Sequence, residues 1–260
     1  MNSLLQLSVA DLTALLGHWW WPFVRIGAAL WMIPIFGDSR VSTPVRLLFA
    51  ALLALLVAPM VTAMPSVDPI SLQALVLAFE QVMFGVIFGL CLQFLFMVVT
   101  LSGQILSLQM GLGMAMMNDP VNGDSSPILS QLMMVFCTLL FLSLNGHLLT
   151  LEMLVRSFQL WPVGSSLYQL DLDAVIRLMG WSMAAALALT LPAVIAMLLV
   201  NLTFGVMNRA APSLNVISLG FPMTLMFGLL AVWLSISGVP GRYLTLVEYL
   251  MAALQGVMAP

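Results

Sequence analysis

The residues that could carry chemistry are few and scattered. Ser143, Asn145 and His147 lie close in sequence. A nucleophile, however, needs its base and an orienting group held in space, and the GxSxG turn that does this in hydrolases is absent. The two histidines and two cysteines show no HExxH or paired spacing, so no metal site is expected. Gly111-Leu112-Gly113 is a fragment of a dinucleotide fingerprint with no strand before it, and there is no Walker A loop. No catalytic residue and no cofactor is therefore expected. Arg25 and Glu80 stand apart, because both fall within apolar runs. Intramembrane charges are functional by default, and this pair would suit a proton-coupled transporter. Two plainer readings stay open: an interfacial position with the Arg25 head snorkelling to water, or a mutual ion pair.

The most unusual stretch is Gly103 to Pro127, GQILSLQMGLGMAMMNDPVNGDSSP. It holds Met110, Met114, Met116 and Met117, the glycines Gly111 and Gly113, and Asn118. The turn Asp119-Pro120-Val121-Asn122-Gly123-Asp124 follows, and then Pro127. Glycine gives backbone freedom, and methionine gives an unbranched, polarizable side chain that fills irregular gaps. Together they fit a deformable closure inside a channel. A loop tip with some core methionines is the alternative in a chain with 21 Met.

Composition sets the environment of these residues. The chain is 62% hydrophobic and 7% charged, against roughly 25% charged in a soluble domain, and its mean hydropathy is +1.13. Too few polar side chains exist to coat a water-facing globule, so a polytopic membrane protein is expected. A net charge of −3 without a basic patch excludes nucleic acid as a partner. Cys91 and Cys137 lie in apolar runs and read as small hydrophobes. No Lys or Arg precedes Arg25, which makes a poor secretory signal, so the first helix is expected to be retained.

The elements that position the candidate residues are helices. The apolar runs are 12–37, 45–64, 70–109, 127–151, 174–208 and 216–239, with a last helix over 243–258. Pro34 should kink or end the first, Pro192 should bend the fifth, and Pro222 interrupts the sixth. Residues 152–173 form the longest moderately polar segment and the candidate boundary between two parts. Run 70–109 has no proline, and as one helix it would be ~60 Å long, twice the ~30 Å hydrocarbon core. Gly85 and Gly89 form a GxxxG pair for close helix approach. Gln93, Thr100, Gln104, Ser107 and Gly111 fall on one helical face. That polar stripe either bonds to neighbouring helices or lines water.

Taken in order, the fragments resemble the FliR family of the bacterial flagellar type III export gate. The matching pieces are Arg25-Ile26-Gly27-Ala28, Pro34-Ile35-Phe36-Gly37, Pro44 and Arg46, then Asp119-Pro120-x-x-Gly123-x-x-x-Pro127. Asn145-Gly146-His147, Ser157-Phe158 and Pro162 come next. Late in the chain stand Leu191-Pro192, Asn201, Gly205, Arg209, Pro212, Asn215-Val216 and Gly220-Phe221-Pro222. The resemblance implies an all-α subunit of long kinked helices that acts as a structural and gating part of an export channel and has no catalysis of its own. It implies a FliP-like part over 1–165, a FliQ-like hairpin over 166–260, and FliP, FliQ and FlhB-type partners. It implies a place in the bacterial inner membrane within the flagellar basal body, and unfolded polypeptides as cargo. It also places a pore plug at Met110 to Asn118. Physically, methionines can close an apolar constriction that gates by dewetting. The polarity that Asp124-Ser125-Ser126 adds beside the plug has no assigned role.

Overall fold

The computed structural model describes residues 9–38, 41–61, 65, 67, 71–112, 127–167, 170–210, 216–236 and 239–258. Among the described residues there is no strand. The helices are α1 (Val9–Met32), α2 (Thr43–Val57), α3 (Leu72–Gln109), α4 (Ile128–Ser143), α5 (Gly146–Leu160), α6 (Leu172–Ala210), α7 (Val216–Ile236) and α8 (Val239–Met258), with a 3-10 turn at Ala58–Met60. The chain is an all-α, polytopic membrane protein. Among the described residues three helical stretches are long and apolar enough to cross a bilayer: Thr43–Met60, Leu72–Gln109 and Leu172–Ala210. The broken pair α4 and α5 makes a fourth if counted as one span.

Several boundaries differ from the sequence expectation. The run 127–151 is not one helix. It breaks at Leu144, and Asn145 adopts a left-handed backbone (φ 56°) before α5 begins. Asn tolerates that conformation better than other non-glycine residues, so Asn145 is the break itself. The polar connector starts later than expected, because 152–160 continue α5. Pro222 does not interrupt α7, which runs through it, as Pro192 lies within the unbroken α6. Apolar helices keep interior prolines when neighbours re-satisfy the freed carbonyls. The last helix starts at Val239, earlier than the expected 243, and Pro240 lies in its first turn, where the missing N–H costs nothing. Pro34 lies just past the end of α1, as expected.

The chain forms two compact units. One comprises 1–93, 145–178 and 250–260; the other comprises 94–144 and 179–249. In the first unit the GxxxG pair brings α3 against α1. A Cβ at Gly85 would overlap the Arg25 carbonyl oxygen, and one at Gly89 would sit 2.5 Å from the Met32 Cβ. The Trp19 indole donates to the Ala51 carbonyl (3.3 Å), which ties α1 to α2, and Phe84 stacks on Trp161 at 4.9 Å. In the second unit Gly103 lets α4 approach α3, since a Cβ there would lie 2.7 Å from the Ser130 Cα. The Ser130 hydroxyl donates to the Thr100 carbonyl (2.9 Å), and Phe96 meets Phe141 at 5.4 Å. The Ser102 hydroxyl reaches the Ala186 carbonyl (3.3 Å), and Trp181 stacks on Tyr249 at 4.4 Å.

The two overlong helices differ in cover. α3 has 38 residues, roughly 57 Å at ~1.5 Å per residue, and 67% of its most apolar window is buried within the chain. α6 has 39 residues, yet only 22% of its window is buried. Leu187, Leu191, Ile195, Leu198 and Leu202 are all more than half exposed. α3 is thus clothed largely by its own chain, while most of α6 is not.

Candidate functional site

The site begins where α3 ends. The Leu112 amide donates to the Ser107 carbonyl (3.0 Å), and the Gly111 amide donates to the Leu108 carbonyl (3.1 Å). Gly111 has φ +74°. This is a Schellman termination, in which the residue after the cap turns left-handed and glycine avoids the Cβ penalty. Gly111, read from sequence as a source of freedom, is a fixed helix stop. Met110, just before it, is 1% exposed. Its side chain lies over the backbone of Gly228 in α7, where a Cβ would overlap the Met110 Cγ. Gly111 faces the Phe221 ring; a Cβ there would be 3.4 Å from it. Nothing in the sequence pairs Met110 with Gly228. The one available signal is a bare glycine inside a strongly apolar helix, where close approach of another group is the usual reason.

The rest of the expected plug, Gly113, Met114, Met116, Met117 and Asn118, lies outside the described residues, as do Asp119, Pro120 and Gly123 of the loop motif. Pro127 precedes α4 in extended backbone and is buried. Of the polar stripe, Gln93 and Gln104 are exposed. The Thr100 hydroxyl bonds back to the Phe96 carbonyl (3.0 Å). Ser107 is fully buried, and its hydroxyl has no hydrogen-bond partner among the described residues. The stripe is thus split between an open edge and a packed edge.

Arg25 is 1% exposed, so it faces protein and does not snorkel. Its Nε donates to the Gln81 Oε1 (2.9 Å), Nη1 to the Ser157 carbonyl (3.0 Å), and Nη2 to the Trp161 carbonyl (2.9 Å). The guanidinium stacks over Phe158 at 4.2 Å and lies 5.0 Å from Phe84. The carbonyls belong to the last turn of α5 and the residue after it; that of Ser157 also accepts the Trp161 amide (2.9 Å), so Arg25 fills its second lone pair. The suggested ion pair with Glu80 is not formed. Arg25 bonds the neutral Gln81 one position on, and Glu80 is only partly buried. Arg46 repeats the pattern. It is buried beside Trp31 (4.6 Å) and donates to the carbonyls of Phe36 (2.7 Å), Asp38 (3.1 Å) and Val41 (3.3 Å), which holds the turn after α1. A fork of five donors suits such multi-carbonyl sites better than an ammonium does. Arg177 pairs with Asp171 (2.9 Å) and Asp173 (2.5 Å), exposed at the start of α6.

No arrangement for covalent chemistry emerges among the described residues. The Ser143 hydroxyl is bonded to the Leu140 carbonyl of its own helix (3.0 Å). No group of three His, Cys, Asp or Glu residues could hold a metal there. Cys91 and Cys137 are buried free thiols.

Comparison with known proteins follows the same outline. Residues 16–250 match a family described as bacterial export proteins, family 1. The chain is 34% identical over 229 residues to the flagellar biosynthetic protein FliR of Escherichia coli (strain K12), with 87% of each chain covered. It is 32% identical over 232 residues to the protein of that name from Pectobacterium carotovorum, with 88% of each covered. The Bacillus subtilis (strain 168) protein of that name is 30% identical over 227 residues, which are 86% of this chain and 84% of that one.

Proposed function

Because the chain belongs to family 1 of the bacterial export proteins, among the FliR proteins, we propose that it is a structural and gating subunit of the flagellar type III protein export channel. It passes unfolded polypeptides across the bacterial inner membrane and carries out no catalysis of its own. The observation that carries this reading is α6: a helix of 39 residues, about 58 Å at ~1.5 Å per residue, with most of its apolar surface uncovered. A ~30 Å hydrocarbon core covers about half of that length. The remainder requires other protein, and FliP-, FliQ- and FlhB-type subunits are the partners that the family resemblance supplies. The sequence halves 1–165 and 166–260 are the FliP-like and FliQ-like parts in this reading.

The plug is Met110 to Asn118. Its root, Met110 and Gly111, stands at the end of α3, and dewetting between methionines holds back ions. The transporter alternative asks Arg25 and Glu80 to work as a pair; Arg25 instead spends its donors on carbonyls and an amide. The test is expression of the chain alone and with FliP and FliQ, followed by size-exclusion chromatography and native mass measurement. Co-purification with those subunits, and aggregation without them, is the expected result. A monodisperse monomer in detergent would overturn the proposal.

A further inference from the structure

We infer that Gly228 of α7 is a positioning residue for the channel seal, a socket that fixes Met110 and so sets where the segment after it begins. This rests on the reading that this segment closes the conduit. Gly228 is buried, while Met226, Phe227, Leu229 and Leu230 around it are exposed. A Cβ at Gly228 would overlap the Met110 Cγ and lie 2.8 Å from its Sδ and 3.0 Å from its Cε. All three atoms beyond the Met110 Cβ therefore occupy the place of the missing side chain. Phe221, two turns earlier on the same face of α7, meets Gly111. The root of the seal thus touches α7 at two points, one a knob in a hole and the other a ring against a left-handed turn.

A glycine inside a helix is unfavourable by about 1 kcal/mol relative to alanine. In a helix packed on other helices, that loss is offset where the bare backbone admits a neighbour. Met110 is the neighbour admitted here, and its unbranched side chain can lie along the groove where a branched one cannot.

The experiment uses the chain assembled with its partner subunits and reads passive ion leak together with assembly yield. Gly228→Ala adds the one methyl that displaces Met110, and Met110→Ala empties the socket. Each should assemble at parental yield and raise the leak by about tenfold or more, since overpacking or loss of the knob shifts the closed population. The double variant should leak no more than the worse single, because both changes break one contact. Where Gly228→Ala fails to assemble, Met110→Ala, which only removes atoms, carries the test. Deletion of residues 111–117 is the control. If the deletion leaks and both single variants stay ion-tight, or if their effects add in the double, the socket inference is wrong and the seal reading stands. If the deletion itself is ion-tight, the seal reading is wrong and the inference falls with it.

Discussion

Replacement of Arg25 by lysine separates a structural fork from a working charge. The guanidinium makes three directional bonds, at 2.9, 3.0 and 2.9 Å, to Gln81, Ser157 and Trp161, and it stacks on Phe158. A lysine keeps the charge, but its ammonium is a point donor at the end of a flexible stem, so it cannot satisfy three acceptors set around a plane. At least one buried carbonyl is then unpaired, at roughly 1–3 kcal/mol. Loss of the planar guanidinium stacked on Phe158 adds about 1 kcal/mol more. The expected loss for Arg25→Lys is therefore about 2–4 kcal/mol, a large share of a typical ~5–15 kcal/mol margin. Arg25→Gln should lose at least as much. The assay is thermal unfolding of the purified complex followed by tryptophan fluorescence, with Trp161 stacked on Phe84 as a local reporter. If Arg25→Lys melts with the parent while Arg25→Gln loses export, the charge is what matters and the fork argument fails.

Three further outcomes follow from the packing. Gly85→Val should separate α1 from α3, because even its Cβ overlaps the Arg25 carbonyl oxygen; a loss of about 1–3 kcal/mol would appear as a lower melting midpoint, and a parental midpoint would refute the close approach. Gly111→Ala forces a Cβ into φ +74°, at about 1 kcal/mol or slightly more, whereas Gly111→Asn should be milder; equal midpoints for the two would contradict the helix-stop assignment. Asn145→Gly should be nearly neutral and Asn145→Val clearly destabilising, since a β-branched residue resists the left-handed region; protease resistance of the purified complex reads the difference.

Much of this architecture was legible in the sequence because apolar periodicity and proline placement are local signals. The unbroken runs before Gln109 and after Asp173 became α3 and α6 with nearly the expected ends. The break at Asn145 was not legible, because one amide in an apolar run looks the same whether it bonds sideways or turns the backbone. The prolines misled at Pro222, where a soluble helix would have stopped. For Arg25 the sequence left burial and snorkelling both open, and the partners could not be read, since two of the three are backbone carbonyls, which every residue has. Gly85 was readable from its spacing to Gly89. Gly228 was not, because its counterpart Met110 is far away in the chain. The most specific motif, Asp119-Pro120-x-x-Gly123, lies outside the described residues, so its placement rests on sequence alone.

The gating role is tested most directly by ion conductance across membranes that hold the assembled gate, with residues 111–117 present or removed. The account predicts a gate of unchanged subunit mass that conducts small ions once the stretch is gone and is tight while it remains. A shortened gate as tight as the parent would contradict it.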